Sequence, residues 1–248
     1  MKALHRLSRK FPRLGSPKIH AKLVAEGWRL NHKRVERLWA REGLQVPRKQ
    51  RKRRRLGSSE NGCIRQRASR PNDVWSYDFL FDRTEAGRRL KILVVLDEFT
   101  RECLAIRVAN RITSTDVLGI LAALMAERGA PKHVRSDNGP EFIARKVRRW
   151  LKRYAIDALF IEPGSPWENG YVESFNAQFR SELLNRELFP TQAEARYLIE
   201  NYRREYNEER PHGALKMQTP KQFATHWSEG GIVLRTPLRS EKELCSLS

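Results

Sequence analysis

VWSYDFLF, residues 74–81, decides how the chain is read. Val74, Ser76, Asp78 and Leu80 fall on one face, and Trp75, Tyr77, Phe79 and Phe81 on the other. That is the two-residue period of a β-strand. A turn, EAGR (85–88), follows, and then LKILVVLDEF (90–99), an almost unbroken apolar run. CLAIRVA (103–109) makes a third strand. Three strands joined by short links predict an antiparallel meander. The pattern then changes to STDVLGILAALMAERG (114–129) as a helix, HVRSD (133–137) as a strand, ARKVRRWLKRYA (144–155) as a helix and DALFIE (157–162) as a strand. PGSPWENG (163–170) breaks the chain before two long helices, 171–188 and 191–210. Strands first and alternating helix and strand afterwards predict an α/β fold, a mixed sheet flanked by helices.

Upstream, residues 16–27 and 32–43 read as two short helices. Ile19, Leu23 and Val24 line the first and Gly27 ends it. Asn31 caps the second, Val35, Leu38 and Trp39 face inward, and Gly43 stops it. Lys33, Arg34, Arg37 and Arg41 load the outer face, which suits a helix-turn-helix on DNA; a plain helical hairpin is the alternative. Charge supports a polyanion partner. The 248 residues carry a net +20, and residues 1–70 hold 22 Lys/Arg against 4 Asp/Glu, which is +18 of that total. Residues 47–70, basic and then rich in Ser and Gly, read as a linker. The three cysteines, 63, 103 and 245, form no disulfide framework or zinc pattern, and a reducing cytoplasm fits. No apolar run approaches the roughly 18 residues of a membrane span.

Three acids stand out. Asp137, in SDNGPEF (136–142), sits where a strand breaks; an Asx turn is its plainer explanation. Asp78 lies inside an alternating strand among bulky aromatics, where an unpaired carboxylate would be costly to desolvate. Glu173 falls in the first turn of a helix, a position that favours any acid, with Glu168 in the preceding loop as its competitor. Carboxylates from two strands and a helix could converge on Mg²⁺, which prefers oxygen ligands and completes its shell with water and phosphate. Two such ions can clamp both oxygens of an in-line displacement at phosphorus. Asp97 reads as the cap of a turn and His212 as an ordering residue of the loop after the last long helix. Trp167 reads equally as a base-stacking group or as a core anchor.

The spacing adds a resemblance. Thirty-five residues separate Asp137 from Glu173, with Asp78 upstream, a D, D-35-E arrangement. Together with WSYDFL, VVLDEFTR, SDNGPEF, PGSPWENGYVESFNAQFRSELL and YNEERPHGALKMQTPKQF, it resembles the catalytic subunits of bacterial insertion-sequence transposases, whose core is shared with retroviral integrases. The resemblance implies a ribonuclease H-like mixed sheet preceded by a small helix-turn-helix segment. It divides the chain into 1–46, a linker 47–70, a catalytic core 71–225 and a tail 226–248. It implies that Asp78, Asp137 and Glu173 are the catalytic triad and hold Mg²⁺, or Mn²⁺ in its place, as two ions. It assigns Arg180, seven residues and about 10 Å beyond Glu173 on one helix face, to a DNA phosphate.

The expected reaction is DNA cleavage and strand transfer by a homo-oligomer on double-stranded element ends and target, in the bacterial cytoplasm. Family members often gain a further DNA-binding module from an upstream reading frame. This chain, opening at ALHRLSRKF, reads as either a separate second product or a fragment. A nuclease of the same fold and a non-catalytic DNA-binding relic are the competing readings; the relic would be marked by a broken triad.

Overall fold

The computed structural model describes residues 1–46, 67–136, 145–160 and 169–230. The chain divides into two compact units: Met1–Gln45 with the described residues from Tyr206 onward, and the described part of Val46–Glu205.

The first unit opens with a helix absent from the sequence reading. Helix α1 (Lys2–Lys10) carries Leu4 and Leu7 inward, with Phe11 just past its end. Helices α2 (Ser16–Ala25) and α3 (His32–Arg41) follow. Asn31 caps α3 as expected, its side chain accepting a bond from the Lys33 amide at 2.9 Å. Gly27 and Gly43, at φ +87° and +66°, supply the left-handed stops that a Cβ would strain. Leu4, Leu7, Phe11, Leu14, Ile19, Leu23, Val35 and Trp39 form one buried core. Val24, read as inward, is half exposed at 51% because it lies on the far side of α2.

The second unit is built on a five-stranded sheet. Its strands are β1 (Val74–Arg83), β2 (Arg89–Asp97), β3 (Cys103–Ala109), β4 (His133–Ser136) and β5 (Asp157–Phe160), in the order β3-β2-β1-β4-β5. β1 pairs antiparallel with β2, and β2 with β3, as the meander requires. β4 runs parallel to β1, and β5 to β4. Such parallel neighbours need a crossover. The β3–β4 crossover contains α4 (Ser114–Arg128), held at its start by a Thr113–Asp116 capping box, and α5 (Arg145–Arg153) lies between β4 and β5. β2 is buried along its length after Arg89, which is why it reads as a continuous apolar run.

The two faces of β1 serve different partners. Trp75 and Tyr77 pack into one core with Leu93, Val95, Val134, the apolar residues of α4, and Val147 and Leu151 of α5. The Ser76–Asp78 side faces α6 (Gly170–Phe179). α6 does not continue as one long helix: a π-helical turn, Arg180–Leu184, follows, closed by the Asn185 amide on the Arg180 carbonyl at 2.8 Å. Helix α7 (Gln192–Glu208) begins in the second unit and ends in residues of the first, and α8 (Pro220–Ser228) closes the described chain of the first. No described helix is long and apolar enough to cross a membrane.

Candidate functional site

The site grows from the middle of β1. Asp78 is half-buried, and its carboxylate is already oriented. Oδ1 accepts from the Phe79 amide at 2.8 Å, and Oδ2 accepts from Asn176 Nδ2 at 2.7 Å. The second bond fastens α6 to the strand. Asn176 is 8% exposed, and Glu173 lies three residues earlier, one turn along the same helix face. Glu173 itself is exposed and stands in the first turn of α6. Four residues after Asn176, the exposed Arg180 donates to the Phe81 carbonyl at 3.5 Å, so its guanidinium lies against β1 three residues beyond Asp78. Val172, Phe175 and Phe179 are buried on the arc of α6 beside Asn176. The helix thus offers a carboxylate, an amide and a guanidinium in sequence along one strand.

Asp137 lies outside the described residues, as do Trp167 and Glu168. Ser136, the residue before Asp137, ends β4 and is buried. Among the described residues, no group of three or more His, Cys, Asp and Glu side chains is gathered as a metal cluster.

The turn between β2 and β3 supports the site from below. Asp97 accepts bonds from the Phe99 and Thr100 amides through Oδ1, and from the Asn72 amide through Oδ2. Burial pushes its pKa up, and these three amides oppose the rise. Asp97 is therefore the turn cap that its sequence position suggested. The next residue, Glu98, meets Arg135 of β4 at 3.0 Å, with side chains 0% and 5% exposed. Arg101, held at φ +66°, stacks its guanidinium 3.4 Å from the centre of the Tyr171 ring in the first turn of α6. One short turn thus contacts both the strand leading to Asp137 and the start of the helix carrying Glu173.

Glu98, Arg135, Arg101, Tyr171 and Asn176 are missed by sequence reasoning. An arginine inside the short buried strand HVRS does demand an acid somewhere, but it does not say which one. Asn176 was findable from its three-residue spacing to Glu173. The Arg101–Tyr171 stack has no local signal.

In the first unit, Lys33, Arg34, Arg37 and Arg41 are all exposed. At roughly 100° per residue they share an arc of about 100° on α3, opposite Val35 and Trp39. Arg41 also meets Glu42 at 3.3 Å. His212 is buried; its amide donates to the Gln218 carbonyl and its ring packs edge-on against Tyr206, which orders the loop before α8.

A three-helix basic unit followed by a sheet of order β3-β2-β1-β4-β5 defines a ribonuclease H-like integrase core preceded by a helix-turn-helix-like domain. Family models agree: an HTH-like domain matches residues 1–53, and two integrase core domain models match 68–166 and 145–220. The 31.7 kDa protein of insertion element IS407 from Burkholderia multivorans is 40% identical over 212 residues, covering 86% of this chain and 76% of the relative. The chain belongs to the insertion-element transposase family with an integrase core. The 39.2 kDa protein of IS476 from Xanthomonas euvesicatoria is 39% identical over 221 residues, 89% of this chain; the match spans 63% of that relative's length. The HTLV-2 integrase catalytic core domain, solved in complex with magnesium, superposes with a TM-score of 0.51 at 19% identity over 64% of this chain and 99% of that one, a likeness of fold.

Proposed function

We propose that the chain is a transposase, a polynucleotidyl transferase that cuts DNA at the ends of an insertion element and joins the freed ends to new DNA. The observation that carries this reading is the 2.7 Å bond from Asn176 to Asp78, which ties to β1 the helix on which Glu173 stands one turn earlier. With Asp137, the residue that follows β4 in the chain, these acids form the proposed triad. Matched core models over 68–166 and 145–220 include all three positions and support a catalytic core of about 71–225.

The donor set is all oxygen and anionic, with Asp78 oriented and Glu173 open to solvent, which fits Mg²⁺ or Mn²⁺ and leaves room for substrate oxygens. Asp78, Asp137 and Glu173 would hold the ions, two in the fullest form of this reading. Bound cations supply charge neutralisation at phosphorus and activation of the attacking oxygen. The chain's other groups position and bind. Asn176 keeps Asp78 turned toward α6. Arg180 holds a phosphate of the DNA strand. Lys33, Arg34, Arg37 and Arg41 grip duplex DNA through α3. Water first opens a phosphodiester at the element end and leaves a 3′-hydroxyl. That hydroxyl then attacks a phosphodiester of the target, expelling a 3′-oxygen of the target strand, so one bond forms for each that breaks. A homo-oligomer would hold paired ends in the bacterial cytoplasm, with any upstream-frame DNA-binding product joining it there.

The test is an incubation of full chain with labelled element ends and Mg²⁺, with and without EDTA. Joined products that EDTA abolishes support the reading. Hydrolysis without joining would make the protein a nuclease, and EDTA-resistant joining would exclude the metal mechanism.

A further inference from the structure

The positive charge of this protein is not confined to its front segment. Helix α5 has the sequence RKVRRWLKR: six cations in nine residues, and no acid. Its inner side is settled. Val147 and Leu151 are buried in the core of the second unit, and Trp150 packs against the same cluster. At about 100° per residue, Lys146, Arg153, Arg149, Lys152 and Arg148 then sweep an outer arc of roughly 160°. All five are exposed. Lys146 donates to the Thr115 hydroxyl at 3.0 Å, which ties the start of the helix to α4. Among the described residues, Arg149, Lys152 and Arg153 meet no acid.

This face works against its own helix. Arg149 and Arg153 are like charges one turn apart, an arrangement that destabilises a helix. Other helices here are treated differently: on α7, Glu200 pairs with both Arg203 and Arg204. Lys152 and Arg153 gain something from the C-terminal end of the α5 dipole, but Lys146, Arg148 and Arg149 do not. A self-repelling face is relieved by an anion of matching spacing. Lys146 to Arg153 covers about 10 Å of helix. Duplex DNA offers a phosphate every ~3.4 Å of axis on each strand, so about three lie within that reach. The polar groups of this face are Arg and Lys alone, spread over about two turns of helix, and such cations make most contacts to a phosphate backbone.

We propose that the outer face of α5 binds the phosphate backbone of the target duplex, the DNA that receives the joined end and is engaged without regard to sequence. This rests on the proposed strand-transfer function for the identity of the DNA, but not for the binding itself.

The test separates the two. Full-length protein with Arg149→Gln, Lys152→Gln and Arg153→Gln is titrated with a random-sequence duplex in EDTA, where no chemistry occurs, over a series of salt concentrations. Three lost phosphate contacts should make the log–log salt slope shallower by about 2.7. Arg149→Lys with Arg153→Lys should keep the original slope, and the triple variant should melt no lower than wild type, since repulsion is removed. An unchanged slope in the folded triple variant overturns the proposal, whatever the protein's catalytic activity. In Mg²⁺, joining to a random target should fall at least tenfold while cleavage of the element end stays within about twofold. Cleavage falling in step with joining would instead place the element end on α5 and overturn the assignment to target.

Discussion

Removing the charge of Glu98 should reveal how much the β2–β3 turn contributes to the second unit. Glu98 and Arg135 face one another at 3.0 Å with side chains 0% and 5% exposed, so solvent screens them little. A buried pair adds little net stability when formed, because desolvation offsets attraction. Breaking it is different: Glu98→Gln leaves the guanidinium facing a neutral amide, at a cost of about 3–5 kcal/mol. For a chain of this size each kcal/mol lowers the melting temperature by roughly 2–4 °C, so the transition should drop by about 6–20 °C. Replacing both partners with apolar groups of similar length, Glu98→Leu with Arg135→Met, should recover most of that loss. Thermal melts followed by circular dichroism on wild type, Glu98→Gln, Glu98→Leu, Arg135→Met and the Glu98→Leu, Arg135→Met double variant complete the comparison. A Glu98→Gln melt within about 2 °C of wild type would show that the buried pair contributes no such penalty, as would a double variant no more stable than Glu98→Leu or Arg135→Met alone.

Asn176→Ala removes the amide that orients Asp78. A hydrogen bond to a charged group contributes about 1.5–3 kcal/mol, so joining should slow about ten- to a hundredfold with the melt shifted only modestly; equal rates would detach Asn176 from the site. Arg180→Ala should weaken joining, Arg180→Lys should keep much of it, and Arg180→Glu should be far worse than alanine. If Arg180 serves only the surface, all three should be nearly silent, since exposed charge contacts contribute about 0–1 kcal/mol. Glu200 accepts from Arg203 at 2.8 and 2.9 Å and from Arg204 at 3.1 Å, and these partners, Arg203 first, lower its pKa against a smaller opposing effect of burial. A depressed acid contributes stability that is complete above its ordinary value of 4.5 and is lost as pH falls through the folded value. The melting gap between wild type and Glu200→Gln should therefore close as pH falls below 4.5, and a gap independent of pH would contradict this.

Patterns confined to one element were legible in the sequence. The alternation of 74–81 and the apolar run of 90–99 gave the central strands because burial on a sheet acts residue by residue. Asn31, Gly27 and Gly43 marked helix ends because caps are local. Helix α1 was overlooked: Leu4, Leu7 and Phe11 do recur at helical spacing, but among basic residues and without a capping side chain. The π-turn at Arg180–Leu184 has no signature in SELLNREL, which reads as ordinary helix. For the proposed site, Asp78 and Glu173 stand out by motif spacing, and Arg180 by the family resemblance. Their supports were not, since Glu98 with Arg135 and Arg101 with Tyr171 meet only after the sheet is assembled.

Asp78 and Glu173, with Asp137, are proposed to form one centre that cuts and joins DNA. The most direct measurement joins a pre-cut element end, its 3′-hydroxyl already exposed, to an unlabelled plasmid in Mg²⁺, using wild type, Asp78→Asn, Asp137→Asn and Glu173→Gln at protein concentrations that saturate the DNA. Wild type should yield joined product, and each variant should bind the end normally and yield none above background. Joining at the wild-type rate by any one of the three would remove that residue from the centre, and joining by both Asp78→Asn and Glu173→Gln would exclude a shared carboxylate centre.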